Sequence, residues 1–434
     1  MSTPRLFQGG HAVDAANAEP RRLDVLVGAD GKIERVAPEI KTAPGVQTVD
    51  CSGKILLPAL FDMHVHLREP GREDEETIAT GGRAAARGGF TGIVAMPNTD
   101  PPIDSGGLVR YVRTLAREQS PVPIWTSGCI TKGRAGKQLA DIADMHQQGA
   151  IMITDDGDPV ADAYLFRRAL EYARHFDLLV ACHCEVPELS RGGAMNEGVR
   201  SYQLGLPGIP ACSEEISIAR DLQLARLTGT RIHIQHVSTA HGLEIIRRAK
   251  NDGVRVTCEV SPHHLLLNES DIADYDTHFK MNPPLRTAAD NEALLAGLLD
   301  GSIDAIATDH APHSEFEKNL DFASAPFGIT GLETALPSLF ERLVRPGLLP
   351  WDLLVRTFSH APRRIIGLDL PEFREGTNAD FVIFNPAGTT HVTPETMASK
   401  SRNTPFLGGT LAGSVDDVVL GAETLLSGKE NPAT

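Results

Sequence analysis

Eight short β-type runs recur along the chain: ILLPALFDMHVH, TGIVAMPN, VPIWTSG, AIMITDDG, LLVACHCE, RIHIQHVS, VRVTCEVSP and IDAIATDHAP. Most are followed by an amphipathic stretch. DAYLFRRALEYARHF, EEISIARDLQLARL and HGLEIIRRAKNDG place apolar residues near i, i+3, i+4 and i+7, the period of a helix that buries one face. Strand–helix units repeated eight times predict an α/β fold, a parallel sheet closed into a (β/α)8 TIM barrel. An open, doubly wound sheet is the alternative. It is weakened because neither GxGxxG nor GxxxxGK(S/T) follows the first run.

The flanks read differently. Residues 1–57 are short strands and turns, and LDVLVGADGKIERVAP alternates apolar and polar residues around a Gly-Ala-Asp-Gly turn, a hairpin signal. Residues 369–434 are similar, with ADFVIFNP and DDVVLGAETLLSG as β-type runs. Strands of buried type need partners along their edges. The two ends are therefore expected to form one small composite β-sandwich domain around a barrel at 58–368.

Charge and cysteine content narrow the function. Lys and Arg number 41 against 57 Asp and Glu, a net charge of −16, which argues against nucleic acid or an anionic membrane surface as partner. No run approaches the roughly 18 apolar residues of a membrane span, and MSTPRLFQGGHAVD lacks the apolar core of a secretory signal. Six scattered cysteines without a CxxC pair suggest free thiols in a reducing cytoplasm.

Polar residues gather at the C-terminal ends of the runs: His64 and His66, Asn98, Asp155 and Asp156, His183, His236, and Asp309. In a (β/α)8 barrel those ends converge on one mouth. His64 and His66 are two apart in a strand and face the same way, so they can share one metal ion; two half-exposed histidines are the plainer alternative. His183 lies between Cys182 and Cys184, which should face the helices. In RIHIQHVS, His236 shares parity with Ile232 and Ile234, and His233 with Gln235. One of the two histidines is expected to point outward, and the strand-end position favours His236 as ligand. Parity with Met152 and Thr154 favours Asp156 over Asp155 as the inward carboxylate. Asp309 follows the small Ala305 and Ala307, and a buried carboxylate there is costly without a cation. Four imidazoles and two carboxylates suffice for two divalent ions, about 3.5–4 Å apart, with a hydroxide accessible near neutral pH. The nitrogen and oxygen donors suit zinc, with cobalt or manganese also possible.

FDMHVHLREPGREDEET, VAMPNTDPP, TDDG, ACHCE, IQHVS, SPHHL, MNPPLR and TDHAPH together resemble the class I dihydroorotases of the amidohydrolase superfamily, over nearly the whole chain. The resemblance implies two Zn²⁺ ions, the first on His64 and His66, the second on His183 and His236, with Asp156 as bridge. Asp309 would touch the metal site and act as general base, then acid. Arg68, Asn98 and His313 would contact the substrate carboxylate; Asn282 and the backbone of Phe327 and Gly328 would contact the pyrimidine-type ring. The implied reaction is reversible hydrolysis of (S)-dihydroorotate to N-carbamoyl-L-aspartate by a metal-bridged hydroxide, in de novo pyrimidine biosynthesis. A homodimer and association with aspartate transcarbamoylase are further implications. Hydantoinases and allantoinases use a carboxylated lysine as bridge. The fourth run here has no lysine, the nearest being Lys132 and Lys137, which lowers that reading. The remaining alternative is an inactive scaffold for a transcarbamoylase. SEFEKNLDFASAPFG, charged and bounded by Gly and Pro, is expected to form a mobile lid.

Overall fold

A computed structural model describes residues 3–426; residues 1–2 and 427–434 of the two expected terminal segments lie outside the described residues. Eight parallel strands pair in chain order: β1 (Leu60–Val65), β2 (Phe90–Ala95), β3 (Ile124–Gly128), β4 (Ala150–Ile153), β5 (Leu179–Cys182), β6 (Ile232–Ile234), β7 (Val256–Val260) and β8 (Ala305–Ile306). The sheet closes on itself where His66 N donates to His310 O at 2.8 Å, just past the ends of β1 and β8. The buried Asp62 carboxylate strengthens this seam, accepting from His64 N at 3.0 Å and Thr308 N at 3.1 Å. Burial pushes its carboxyl up to about 7, against the pull of those donors.

Strand alternation sorts the side chains into two layers. Phe61, Met63, Val94, Met96, Met152, Leu179, Ala181 and Ala307 fill the barrel interior. Ile93, Ile153, Val180, Cys182, Ile232, Ile234, Cys258 and Ile306 face the helices. Several helices begin at hydroxyl or carboxylate caps. Thr77 Oγ1 accepts from Thr80 N at 3.0 Å at the start of Ile78–Gly88, and Asp162 Oδ1 accepts from Tyr164 N at 2.8 Å before Ala163–Arg174.

The first β-type run is two strands, not one. Ile55–Pro58 belongs to a second sheet, and the chain changes sheets at Ala59, whose N donates to Asp380 O while Leu60 N donates to Gly89 O. That second sheet has six strands, in the order Glu423–Thr424, Thr410–Leu420, Asp380–His391, Ile55–Pro58, His11–Asp14, Asn17–Arg22. It joins both ends of the chain. A four-stranded sheet, Ile33–Ala37, Asp24–Val27, Arg5–Gln8, Gln47–Asp50, covers one face and contains the expected hairpin. Phe7, Val25, Leu56, Phe381 and Ile383 pack between the two sheets, with the Phe7 and Phe381 rings edge to face at 5.0 Å. The alternate residues Val382 and Phe384 pack against the barrel helices, Phe384 meeting Phe340 at 4.9 Å. Among the described residues, no helix is long and apolar enough to cross a membrane, and the six cysteines are free.

Candidate metal and substrate site

The strand ends bring six side chains to one buried point. Asp156, just beyond β4, is at its centre. One or other of its oxygens lies 3.4 Å from His64 Nε2, 3.3 Å from His66 Nε2, 3.7 Å from His183 Nδ1 and 3.7 Å from His236 Nε2. Asp309 Oδ1 reaches two of the same rings, 3.1 Å from His66 Nε2 and 3.4 Å from His64 Nε2. His183 Nδ1 and His236 Nε2 are 2.9 Å apart. Burial alone would raise both carboxyls, but the surrounding imidazoles outweigh it and hold Asp156 and Asp309 well below the usual carboxylate range. Two ionised carboxylates thus face four imidazoles.

The donor set fits a divalent metal. Asp156 Oδ1 and His236 Nδ1 are buried without a hydrogen-bond partner among the described residues, and buried polar atoms ordinarily have one. His64, His66 and Asp309 each offer a ligand atom within 4.8 Å of the others, as do His64, Asp156 and His236. The far sides of two rings are already fixed. His64 Nδ1 is 2.8 Å from Glu259 Oε1, and His66 Nδ1 is 2.7 Å from Asn98 Oδ1. Such outer partners set ring orientation and tautomer in metal sites.

Parity misplaces one histidine. His233 and Gln235 both face the interior: His233 Nε2 is 3.1 Å from Glu259 Oε2, and Gln235 Nε2 is 3.2 Å from His64 Nδ1. Ile232 and Ile234 face the helices. Alternation would send His236 outward with them, but its φ of 33° breaks the strand and turns the ring back into the mouth. Neither histidine points out. Asp309 (φ 50°) and Arg68 (φ 61°) are bent in the same left-handed way, a conformation that costs a non-glycine residue about 1–3 kcal/mol and gathers at functional sites. Asp155 does face away, accepting from Ile130 N at 2.8 Å. Cys182 and Cys184 pack outward as alternation predicts.

Arg68 and His313 stand next to one another beside this centre. Arg68 Nε donates to Pro312 O at 3.0 Å, and its Nη2 is 3.3 Å from His313 Nε2. His313 Nε2 donates to Phe327 O at 2.8 Å. Gly328 has φ 136°, and a Cβ there would lie 2.8 Å from that of Ala311, so only glycine fits. Asn282 Nδ2 donates to Glu185 Oε2 at 2.6 Å and lies 3.3 Å from His183 Nε2. The stretch expected as a lid is pinned along its second half. Lys318 Nζ donates to Pro326 O at 3.0 Å and Gly328 O at 3.1 Å, and Lys280 Nζ to Ala323 O at 2.9 Å.

Several residues of the site escape sequence reasoning: Glu75, Glu185, Gln235, Glu259 and Asn403. Glu259 carried a usable signal, a single carboxylate between the outward Cys258 and Val260. Asn403 carried none. It arrives from the far C-terminal segment, accepting from His313 N at 3.1 Å and donating to Gly328 O at 3.0 Å.

Comparison with known proteins agrees with this geometry. A model of the dihydro-orotase-like family matches residues 53–242. The dihydroorotase of Pelotomaculum thermopropionicum is 46% identical over 421 residues, covering 97% of this chain and 98% of that protein. The dihydroorotase of Carboxydothermus hydrogenoformans is 45% identical over 409 residues, 94% of each. Among solved structures, L-hydantoinase from Arthrobacter aurescens superposes with a TM-score of 0.86 at 24% identity, covering 98% of this chain and 96% of its own. Dihydropyrimidinase from Brevibacillus agri gives 0.81 at 21%, covering 97% and 94%. These two share the fold. Identity near one residue in two, sustained from end to end, goes well beyond a common barrel, and the chain belongs to the dihydroorotase family.

Proposed function

We propose that this chain is a dihydroorotase, reversibly hydrolysing the cyclic amide of (S)-dihydroorotate to N-carbamoyl-L-aspartate in de novo pyrimidine biosynthesis. One observation carries the reading: Asp156, reached by four imidazoles, lies beside a buried guanidinium. Hydrolysis of a carboxylate-bearing cyclic amide needs that pairing, whereas hydantoin and allantoin carry no carboxylate for Arg68 to hold.

In this reading His64, His66 and Asp309 would hold one Zn²⁺ and His183 and His236 a second, with Asp156 as their shared ligand. Bound divalent ions would acidify a water and polarise the scissile carbonyl. The protein supplies the rest. Arg68, with His313 and Asn98, binds the substrate carboxylate, a task that suits a guanidinium fork. Asn282 and the Phe327–Gly328 backbone hold the ring. Asp309 accepts the proton of the attacking water and returns it to the departing ring nitrogen. Burial of the four imidazoles, both carboxylates and Arg68 limits access of competing water. Residues 58–368 form the catalytic unit, flanked by the composite domain of 1–57 and 369–434. Family likeness further supports a cytoplasmic homodimer able to associate with an aspartate transcarbamoylase, which sizing with and without that partner would test.

The deciding experiment is metal content together with turnover of dihydroorotate, hydantoin and allantoin. Two zinc equivalents and turnover of dihydroorotate alone are expected. Preference for hydantoin or allantoin would replace the reading with another cyclic amidase, and no turnover of any would favour a scaffold. Ring opening creates a carboxylate and releases a proton, so the equilibrium should shift toward the open product as pH rises.

A further inference from the structure

His313 is held at both ring nitrogens. Nε2 lies 2.8 Å from Phe327 O, and Nδ1 lies 2.7 Å from Glu75 Oε1. A carbonyl can only accept, whereas Arg68 Nη2, 3.3 Å from the same nitrogen, can only donate; the shorter contact is to the carbonyl, and it puts the hydrogen on Nε2. A neutral imidazole has one N–H, which leaves Nδ1 as an acceptor. Glu75 can satisfy it only by donating, as a carboxylic acid. The Nδ1–H tautomer, accepting from Arg68 Nη2, would set a bare Nε2 lone pair 2.8 Å from the Phe327 oxygen; the remaining solution is an imidazolium between two acceptors. It would add a positive charge beside Arg68 and Lys318, and burial together with those two cations pushes the His313 ring down to about 2.

The surroundings of Glu75 favour the neutral acid. Its carboxyl is fully buried, and Oε2 accepts no hydrogen bond among the described residues. Arg68 Nε is 3.2 Å from Oε2 but gives its hydrogen to Pro312 O. Arg72 Nη2 is 2.8 Å from Oε1 and also binds Glu317, whose Oε2 is 4.0 Å from His313 Nδ1. Arg68, Arg72, Glu317, Lys318 and His313 are the charged and titratable groups facing the pair; Glu76 turns away, to His310 at 3.3 Å. Burial, with Glu317 adding to it, outweighs both guanidiniums and pushes Glu75 up to about 8. Two arginines already sit against these carboxylates, so the cluster is not a cation site.

We propose that Glu75 is a positioning residue: as a neutral acid it donates to His313 Nδ1, which keeps the ring's Nε2–H on the Phe327 carbonyl and fixes the corner that receives the substrate carboxylate. This rests on the reading of Arg68 and His313 as carboxylate contacts. When the acid loses its proton, Glu75 and Phe327 compete for one N–H. A carboxylate is the stronger acceptor, so the tautomer reverses and Phe327 is released. The new negative charge also opposes an anionic substrate beside Arg68. Affinity for substrate therefore falls as pH rises through about 8.

The test uses the zinc-loaded, full-length enzyme with dihydroorotate. KM is expected to rise about tenfold from pH 7 to pH 9, the span of one ionisation, while kcat changes far less. In Glu75→Gln, whose amide can donate to Nδ1 but cannot ionise in this range, KM should stay flat; a slope that persists in this variant overturns the proposal. The ¹⁵N signals of His313, assigned by their loss in His313→Asn, read the ring without substrate. The neutral Nε2–H tautomer at pH 6.5, reversing above pH 8, is expected. An Nδ1–H tautomer or an imidazolium at pH 6.5 overturns the proposal. If the wild type does not turn over dihydroorotate, the functional reading falls, and the nitrogen signals still decide the position of the proton.

Discussion

The barrel mouth and the sandwich core are both lined with buried side chains, yet they are built on opposite principles. Between the terminal sheets, Phe7, Val25, Leu56, Phe381 and Ile383 pack carbon against carbon, and Phe381 and Ile383 alternate with Val382 and Phe384, which face the barrel. At the mouth, His64, Asp156, His183, His236, Asp309, Arg68 and Glu75 are all buried, and the backbone is left-handed at Arg68, His236 and Asp309. Buried polar groups and bent backbone are unfavourable in themselves. The mouth keeps its shape because the apolar layers hold it, and each of its groups acts on chemistry more than on stability.

The sharpest way to break this contrast is Asp309→Asn. Turnover should fall about 10²–10⁴-fold, the usual worth of a positioned acid–base group. The unfolding midpoint should fall, though less than in a core truncation, because Asn keeps the shape of Asp309 but gives up the charge that His64 and His66 hold. Steady-state kinetics and a thermal scan on the same preparation would check both, and near-normal kcat would remove Asp309 from proton transfer. Phe381→Ala should do the reverse. Loss of the ring from the sandwich core is expected to cost about 3–5 kcal/mol in denaturant unfolding, with KM unmoved; a matching loss of kcat would mean the two regions are coupled. Glu259→Gln is the gentlest of the three. Glu259 spans His64 Nδ1 at 2.8 Å and His233 Nε2 at 3.1 Å, and an amide cannot accept from both with both of its ends. Chelator competition should show metal affinity lower by about 10–100-fold, with kcat of the fully loaded enzyme nearly retained.

The same contrast governs how much the sequence reveals. Strand alternation and strand-end position are local properties, so the eight runs, the terminal hairpin and the convergence of His64, His66, Asp156, His183, His236 and Asp309 could all be read directly. The misreadings fall where the backbone departs from the pattern. A φ of 33° at His236 reverses its parity, and Ala59 divides one apolar run between two sheets. Asn98 also reaches His66, its Oδ1 2.7 Å from Nδ1, a contact that strand-end position does not signal. Glu75 and Asn403 were invisible for another reason. Their meaning lies in His313, 238 and 90 residues away along the chain, and no local pattern encodes such a meeting.

The strand Ile55–Pro58 runs straight into the strand that bears His64 and His66, and it is bordered by His11–Asp14 on one side and Asp380–His391 on the other. During synthesis the second neighbour does not exist until nearly the whole polypeptide has left the ribosome. The segment leading into the first pair of imidazoles must therefore wait with an open, adhesive edge. Long-range pairing of this kind slows folding, and it keeps this edge unpaired until the end of the chain arrives.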